Sequence, residues 1–179
     1  MKLAGSEEHL FTSRLSLVAQ PWLGDHVVGG RVLVPGTALL DLVVRAGDEA
    51  GCGCVEELTL TAPLVLPGQG AIQLQVRLGE VDDRGCRPVT VYARPDGLDL
   101  PWTEHAVAMV SEMDRSVPFG TDAWPPAGAV AVDLAGCYDV FADAGFEYGP
   151  VFQGLRAVWR RGEEVFAEVE LPDSADAAG

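Results

Sequence analysis

Lysine is almost missing from this chain: Lys2 stands alone among 179 residues, against eleven arginines. Basic side chains total 12 and acidic ones 27, for a formal net charge of −15. A phosphate backbone needs a basic surface to displace its counterions, so the charge excludes nucleic acid as a partner. Solubility is the plainest use of so much acid. The charge gives no steering toward an acidic protein, which would have to dock on a local patch. No run approaches the ~20 apolar residues of a membrane span, and the first residues lack the basic-then-apolar pattern of an export signal. We therefore expect a cytoplasmic protein that does not enter membranes. Cysteine is sparse, and Cys52-Gly-Cys54 has the wrong spacing for a zinc knuckle, with no second Cys or His pair after it. Cys52, Cys54, Cys86 and Cys137 read as small core or loop residues, and no metal is expected.

What the chain does have is a globular composition, 48% hydrophobic and 22% charged. Arg14 to Val18 alternates polar and apolar and predicts a short strand. Pro21 and Gly24 mark a turn, and Asp25-His26 leads into a β-rich segment from Val27 to Val34. Gly29 and Gly30 within it predict a bend, or a place where something approaches the backbone closely. From Thr37 to Asp48 the period changes to that of a helix. Thr37, Asp41, Arg45 and Asp48 share a narrow polar arc, so most of the helix surface is apolar and buried. Gly51 and Gly53 end it. Asp41 and Arg45, four apart, read as a surface pair.

Period two returns in Leu58 to Leu66, Ile72 to Leu78, Val89 to Ala93 and Trp102 to Glu112, separated by Pro, Gly and Asp turns. One buried helix against an antiparallel meander predicts an α+β domain over 1–112. His105 falls in the last of these strands with no partner motif and reads as structural. Residues 113–131, rich in Pro and Gly, predict a linker. A second start follows over 132–179. Asp133 is the expected N-cap of a helix whose face carries Leu134, Cys137, Tyr138 and Phe141, with Gly145 as its stop. Tyr148-Gly149-Pro150 comes next, then strands over 155–161 and around Val165 to Leu171, then an acidic tail.

Chemistry concentrates in His26 to Pro35, H-V-V-G-G-R-V-L-V-P, a His-x₃-Gly-x₄-Pro spacing that chance supplies about 0.02 times in a chain of this composition. An imidazole on a strand, a Pro-Gly corner and a buried helix can together do proton chemistry. The N–H groups opening that helix are unpaired donors at the positive end of its dipole. A histidine merely satisfied at a strand start is the alternative.

W-L-G-D-H-V-V-G-G-R-V-L-V-P-G-T-A-L-L-D-L, V-E-E-L-T-L-T-A-P-L-V-L-P and E-Y-G-P-V-F-Q-G-L, in that order, resemble the dehydratase domain of modular type I polyketide synthases. The likeness runs from about Thr12 to Pro172. It implies a double hotdog, two units in which an antiparallel sheet wraps a long central helix, the first complete and the second only begun. It implies removal of water from a β-hydroxyacyl thioester held on the phosphopantetheine arm of an acyl carrier protein, with no other cofactor. His26 would be the base that takes the α-proton, a task suited to neutral imidazole near pH 7. Gly36 would offer its N–H to the thioester oxygen. Pro35 would fix the corner that aims it, and Gly30 would let the backbone pass close to the substrate. Tyr148, Gly149 and Pro150 match the family's second motif, which positions the catalytic pair; Tyr148 anchoring a turn through its hydroxyl is the alternative.

The likeness also implies an acid, an Asp on an L-x-x-x-x-L-D-A-like helix that this sequence does not contain. Asp173 and Asp176 lack that apolar context and receive no role. The family's H-P-L-L-G start is absent too, and His9 is too isolated to replace it. A fragment, or a chain lacking its continuation, is expected. Expected partners are the acyl carrier protein, other domains of the synthase module and, as one option, a second copy of the chain. A product-template or pyran-forming cyclase on the same fold, and a non-catalytic half-domain that binds or scaffolds, stand as alternatives.

Overall fold

The computed structural model describes residues 2–112 and 123–171. In chain order the strands are β1 (His9–Leu15), β2 (His26–Val28), β3 (Arg31–Val32), β4 (Cys54–Leu60), β5 (Ile72–Leu78), β6 (Cys86–Pro95), β7 (Thr103–Ser111), β8 (Val130–Val132), β9 (Phe146–Tyr148), β10 (Leu155–Arg161) and β11 (Glu164–Val169). The helices are α1 (Gly36–Asp48) and α2 (Cys137–Asp143), with 3₁₀ turns at Pro21–Asp25 and Pro150–Phe152. The chain divides into two units. The first holds residues up to Leu23 and the stretch from Val32 through β7. The second joins Gly24–Arg31 to the described residues from 123 onward. The expected boundary at 112 therefore misses one excursion, because β2 finds its antiparallel partner in β9. Of the expected linker 113–131, residues 113–122 lie outside the described residues, as do Asp173 and Asp176.

In the first unit the sheet order is β1-β5-β6-β7-β4, antiparallel throughout. The alternation that predicted the strands is the alternation of burial. Ile72, Leu74, Val76 and Leu78 face inward, in register with Pro95, Ala93, Val91 and Val89. Leu39, Val43 and Ala46 of α1 pack on that inner face, each at 3% exposure or less. Side chains the size of Leu39 and Val43 each contribute about 1.5–3 kcal/mol by leaving water. The buried stripe is narrower than the apolar arc predicts, and Leu40 stays exposed, because one sheet covers one side of a helix. The helix stops after Glu49, with Gly51 at φ 74°. Cys52 folds back to donate its N–H to the Gly47 carbonyl (2.9 Å).

Two edges differ from expectation. The first strand is β1, ending at Leu15, and Val18 is almost fully exposed. Ser16 stops it, its Oγ accepting the Ala19 N–H (3.2 Å) while its own N–H donates to Gln20 Oε1 (3.1 Å). The run to Leu66 is a strand only to Leu60. Pro63 has no N–H for a ladder, and Leu64 and Leu66 are buried by pairing with Val34 and Val32 instead.

The second unit contains the three-stranded sheet β11-β10-β8 and, from the small sheet of order β3-β2-β9, the strands β2 and β9 with Arg31 of β3. Helix α2 begins at Cys137 after Gly136, which holds φ 71°. Asp133 is not its cap. Its Oδ1 accepts the Ala135 N–H (2.9 Å) in a turn upstream, a conformation Asp favours as readily as a cap. Gly145, at φ 88°, ends the helix as expected and donates to the Ala142 carbonyl (2.9 Å).

Candidate active site

His26 opens β2 directly opposite Tyr148 on β9. Three residues make a weak strand, and this one is fastened at both ends. Gly149 donates its N–H to the Asp25 carbonyl (2.7 Å), and Gly29 donates to the Gly145 carbonyl (2.7 Å). The imidazole stacks on the Tyr148 ring, with centroids 5.4 Å apart and planes at 30°. The Phe152 ring lies 5.1 Å away on a tilt of 57°. Tyr148 is in turn surrounded by Phe141, Phe146 and Phe152, each 6.2–6.4 Å away. A half-buried imidazole with aromatic neighbours has its ring plane set by packing, and such contacts add about 0.5–1.5 kcal/mol beyond burial.

The residue before it explains the Y-G-P segment. Asp25 Oδ2 accepts the Val151 N–H (3.0 Å) at the start of the second 3₁₀ turn, where exposed donors favour a carboxylate. Its side chain lies against Gly149. A Cβ built there would come 2.5 Å from Asp25 Oδ1 and 2.8 Å from Asp25 Cβ. Gly149 has an ordinary φ of −77°, so space, not conformation, requires glycine. Pro150 then fixes φ at the first position of the turn. The side chain of Gln153 donates to the Tyr148 carbonyl (2.7 Å). The hydroxyl of Tyr138 accepts the Leu155 N–H (3.0 Å).

Gly30 and Gly29 form the two-residue turn from β2 to β3, at φ 71° and 58°. Positive φ at both positions is what such hairpins demand. Apart from its chain neighbours, no atom of the described residues lies within 4 Å of the space a Cβ on Gly30 would take. The structure thus joins His26, Gly30, Tyr148, Gly149 and Pro150 in the second unit.

Pro35 and Gly36 belong to the first. Pro35 is buried and precedes α1 with φ −59° and ψ 144°. Gly36 opens the helix, and the space its Cβ would occupy lies 2.9 Å from Leu60 Cδ1. Among the described residues, no side chain caps this end. Asp25, Phe152 and Tyr138 are the residues that sequence reasoning missed; only the position of Asp25 beside His26 hinted at one of them. Among the described residues, no three His, Cys, Asp or Glu side chains gather so as to hold a metal ion. No described helix is long and apolar enough to cross a membrane.

Residues 1–94 match a family model described as polyketide synthase dehydratase domain, and residues 116–179 match one described as polyketide synthase dehydratase N-terminal domain. The polyketide synthase GfsA of Streptomyces halstedii is 56% identical over 182 residues, covering 99% of this chain and 2% of that protein. The solved dehydratase domain from the terminal module of the rifamycin polyketide synthase is 47% identical at a TM-score of 0.92, covering 99% of this chain and 65% of that one. A bifunctional dehydratase-cyclase domain from ambruticin biosynthesis is 39% identical at a TM-score of 0.88, covering 99% and 61%. The chain thus spans a small fraction of GfsA and under two thirds of these solved domains. Those neighbours share the α+β hotdog fold, a sheet wrapped on a central helix, as in the first unit here.

Proposed function

This chain belongs to the dehydratase domains of polyketide synthases, and from that premise we propose that it serves the dehydration of a β-hydroxyacyl thioester to the α,β-unsaturated thioester. In this proposal residues 1–112, apart from the excursion Gly24–Arg31, make the first hotdog and 132–179 begin the second. The substrate arrives on the phosphopantetheine arm of an acyl carrier protein within a cytoplasmic, multidomain synthase, and no further cofactor is required.

In this reading neutral His26 takes the proton from the α-carbon. The electron pair moves toward the thioester oxygen, where the Gly36 N–H at the uncapped start of α1 meets the growing charge. Pro35 fixes the corner that aims it. As the α,β double bond forms, the β-hydroxyl leaves with a proton from an acid supplied outside the residues assigned here. The open backbone at Gly30 admits the acyl chain. Tyr148, Gly149 and Pro150 hold the base.

The observation that carries the reading is the seating of His26 against Tyr148 and Phe152, with its neighbour Asp25 hydrogen-bonded to the Y-G-P turn. Two motifs 122 positions apart serve one imidazole. In the protein at its full natural length, replacing His26 by Ala should lower dehydration of a carrier-bound β-hydroxyacyl thioester by about 10²–10⁴-fold. Undiminished turnover would remove His26 as the base.

The likeness to a dehydratase-cyclase favours a second reading, pyran-ring closure on the same fold. Supplying a β-hydroxyacyl thioester that carries a distal hydroxyl separates the two, since a cyclase returns the ring and a dehydratase stops at the alkene.

A further inference from the structure

Between β4 and the buried Leu64–Leu66 stretch, a strip of chain is tied to β7 by a histidine that the reading above leaves unused. His105 is 7% exposed, and its Nδ1 lies 3.1 Å from the Ala62 carbonyl oxygen. A carbonyl only accepts, so Nδ1 carries the proton. Thr61 adds two bonds to the same place, its N–H to the His105 carbonyl (3.0 Å) and its hydroxyl to the Glu104 carbonyl (3.2 Å). Pro63 follows, with no N–H to continue the ladder, and the imidazole supplies a tie in its place.

The other edge of the strip holds the chain that enters α1. Val34 donates to the Leu64 carbonyl (2.8 Å), Leu66 donates to the Val32 carbonyl (2.9 Å), and Leu33 bridges Val65 between them. Val34 runs directly into Pro35 and Gly36. At the head of the strip, Leu60 fills the space beside Gly36. The route from the His105 ring to the Gly36 N–H therefore passes only through hydrogen-bonded backbone and one packed side chain.

We propose that His105 is a positioning residue: its Nδ1–H fixes the 61–66 strip through Ala62 and so sets the direction of the Gly36 N–H. The proposal rests on Gly36 being the oxyanion donor assigned above. A donor displaced by about 1 Å can cost 10²-fold in rate, and a donor that acts only in the transition state changes kcat with KM unmoved.

The test uses the full-length protein with His105→Leu and His105→Asn, because the Asn amide nitrogen falls where Nδ1 sits. Hydrogen exchange at the Val34 and Leu66 amides is read beside kcat and KM of dehydration. In H105L both amides should exchange at least tenfold faster. There kcat should fall about 10–100-fold at constant KM; H105N should restore both readouts. Wild-type exchange in H105L overturns the proposal directly, whatever Gly36 does. Faster exchange with undiminished kcat overturns it through its premise, by showing that the corner does not serve the reaction. If H105L does not fold, H105N against H105Q decides, since Gln puts its nitrogen near Nε2. Equal loss of activity in those two variants overturns the donor role.

Discussion

The contact between Asp25 and Gly149 can be measured as a coupling energy. A methyl group on Gly149 would meet Asp25 at Oδ1 and Cβ, 2.5 and 2.8 Å away. Asp25 is too short to withdraw its tip and keep its bond, so Gly149→Ala must expel the carboxylate from its place on the Val151 N–H. A hydrogen bond to a charged acceptor is worth about 1.5–3 kcal/mol, and forcing volume into a packed contact costs about 1 kcal/mol more. The single variant should therefore lose roughly 3 kcal/mol.

Asp25→Ala alone loses the same bond and leaves a backbone donor unpaired, for about 2 kcal/mol. In that background the carboxylate is gone, and the new methyl meets only the Cβ that Ala keeps at position 25, 2.8 Å away. The double variant should then sit about 2–3 kcal/mol below wild type rather than the roughly 5 kcal/mol of the sum, a coupling of about 2 kcal/mol. Urea unfolding of the four proteins, with exchange at the Gly149 amide as a local probe, gives the cycle. Dehydration should fall in both singles, because Asp25 adjoins the base. Additivity within about 0.5 kcal/mol would show that Asp25 does not dictate glycine at 149.

Gly154 and Gly36 should respond oppositely to alanine. At Gly154 the methyl meets the Glu170 carbonyl oxygen, a backbone atom, at 2.5 Å, and a loss of more than about 2 kcal/mol is expected in urea melts. At Gly36 it meets only the tip of half-exposed Leu60, and the loss should stay under about 1 kcal/mol. Arg14, hydrogen-bonded to Asp96, and then Gln73 hold the Asp96 carboxyl below the usual carboxylate range. The folded state thus binds that proton less readily than the unfolded one. The stabilisation is present at neutral pH and is lost as pH falls below about 4; thermal melts against pH should show Asp96→Asn flattening this acid limb. Burial pushes the Cys52 thiol up, so with a thiol-reactive probe at neutral pH Cys52 should label last of the four cysteines, on the timescale of unfolding.

Local pattern carried much of this architecture. Ile72, Leu74, Val76 and Leu78 announce β5 because alternate burial is the cause of the alternation, and Leu39, Val43 and Ala46 mark the buried side of α1 for the same reason at helical period. The pattern failed where one residue type serves two local ends. Asp133 can cap a helix or close a turn upstream of it, and its sequence is the same in both cases. It failed again where a pairing spans long separations. Nothing near His26 announces Tyr148 as its cross-strand neighbour, and nothing near His105 announces Ala62, 43 positions away. The motif residues of the site were legible as letters. Asp25 was not, because its role appears only when β2 and β9 are side by side.

That pairing explains why the excursion Gly24–Arg31 groups with the second unit. A three-residue strand with a two-residue turn has too little surface to hold itself. Every member of the buried core, from Leu23 to Val110, belongs to the first unit, and none lies in Gly24–Arg31. The order of β2 must come from elsewhere, and it comes from β9, the Gly149 and Gly145 backbone and the Val151 amide that Asp25 accepts. A chain of residues 1–112 would retain α1 and its sheet yet lose the groups that seat the imidazole. The orientation of His26 is therefore a property of the Y-G-P segment as much as of its own motif, and the two have to be transplanted together for the base to keep its place.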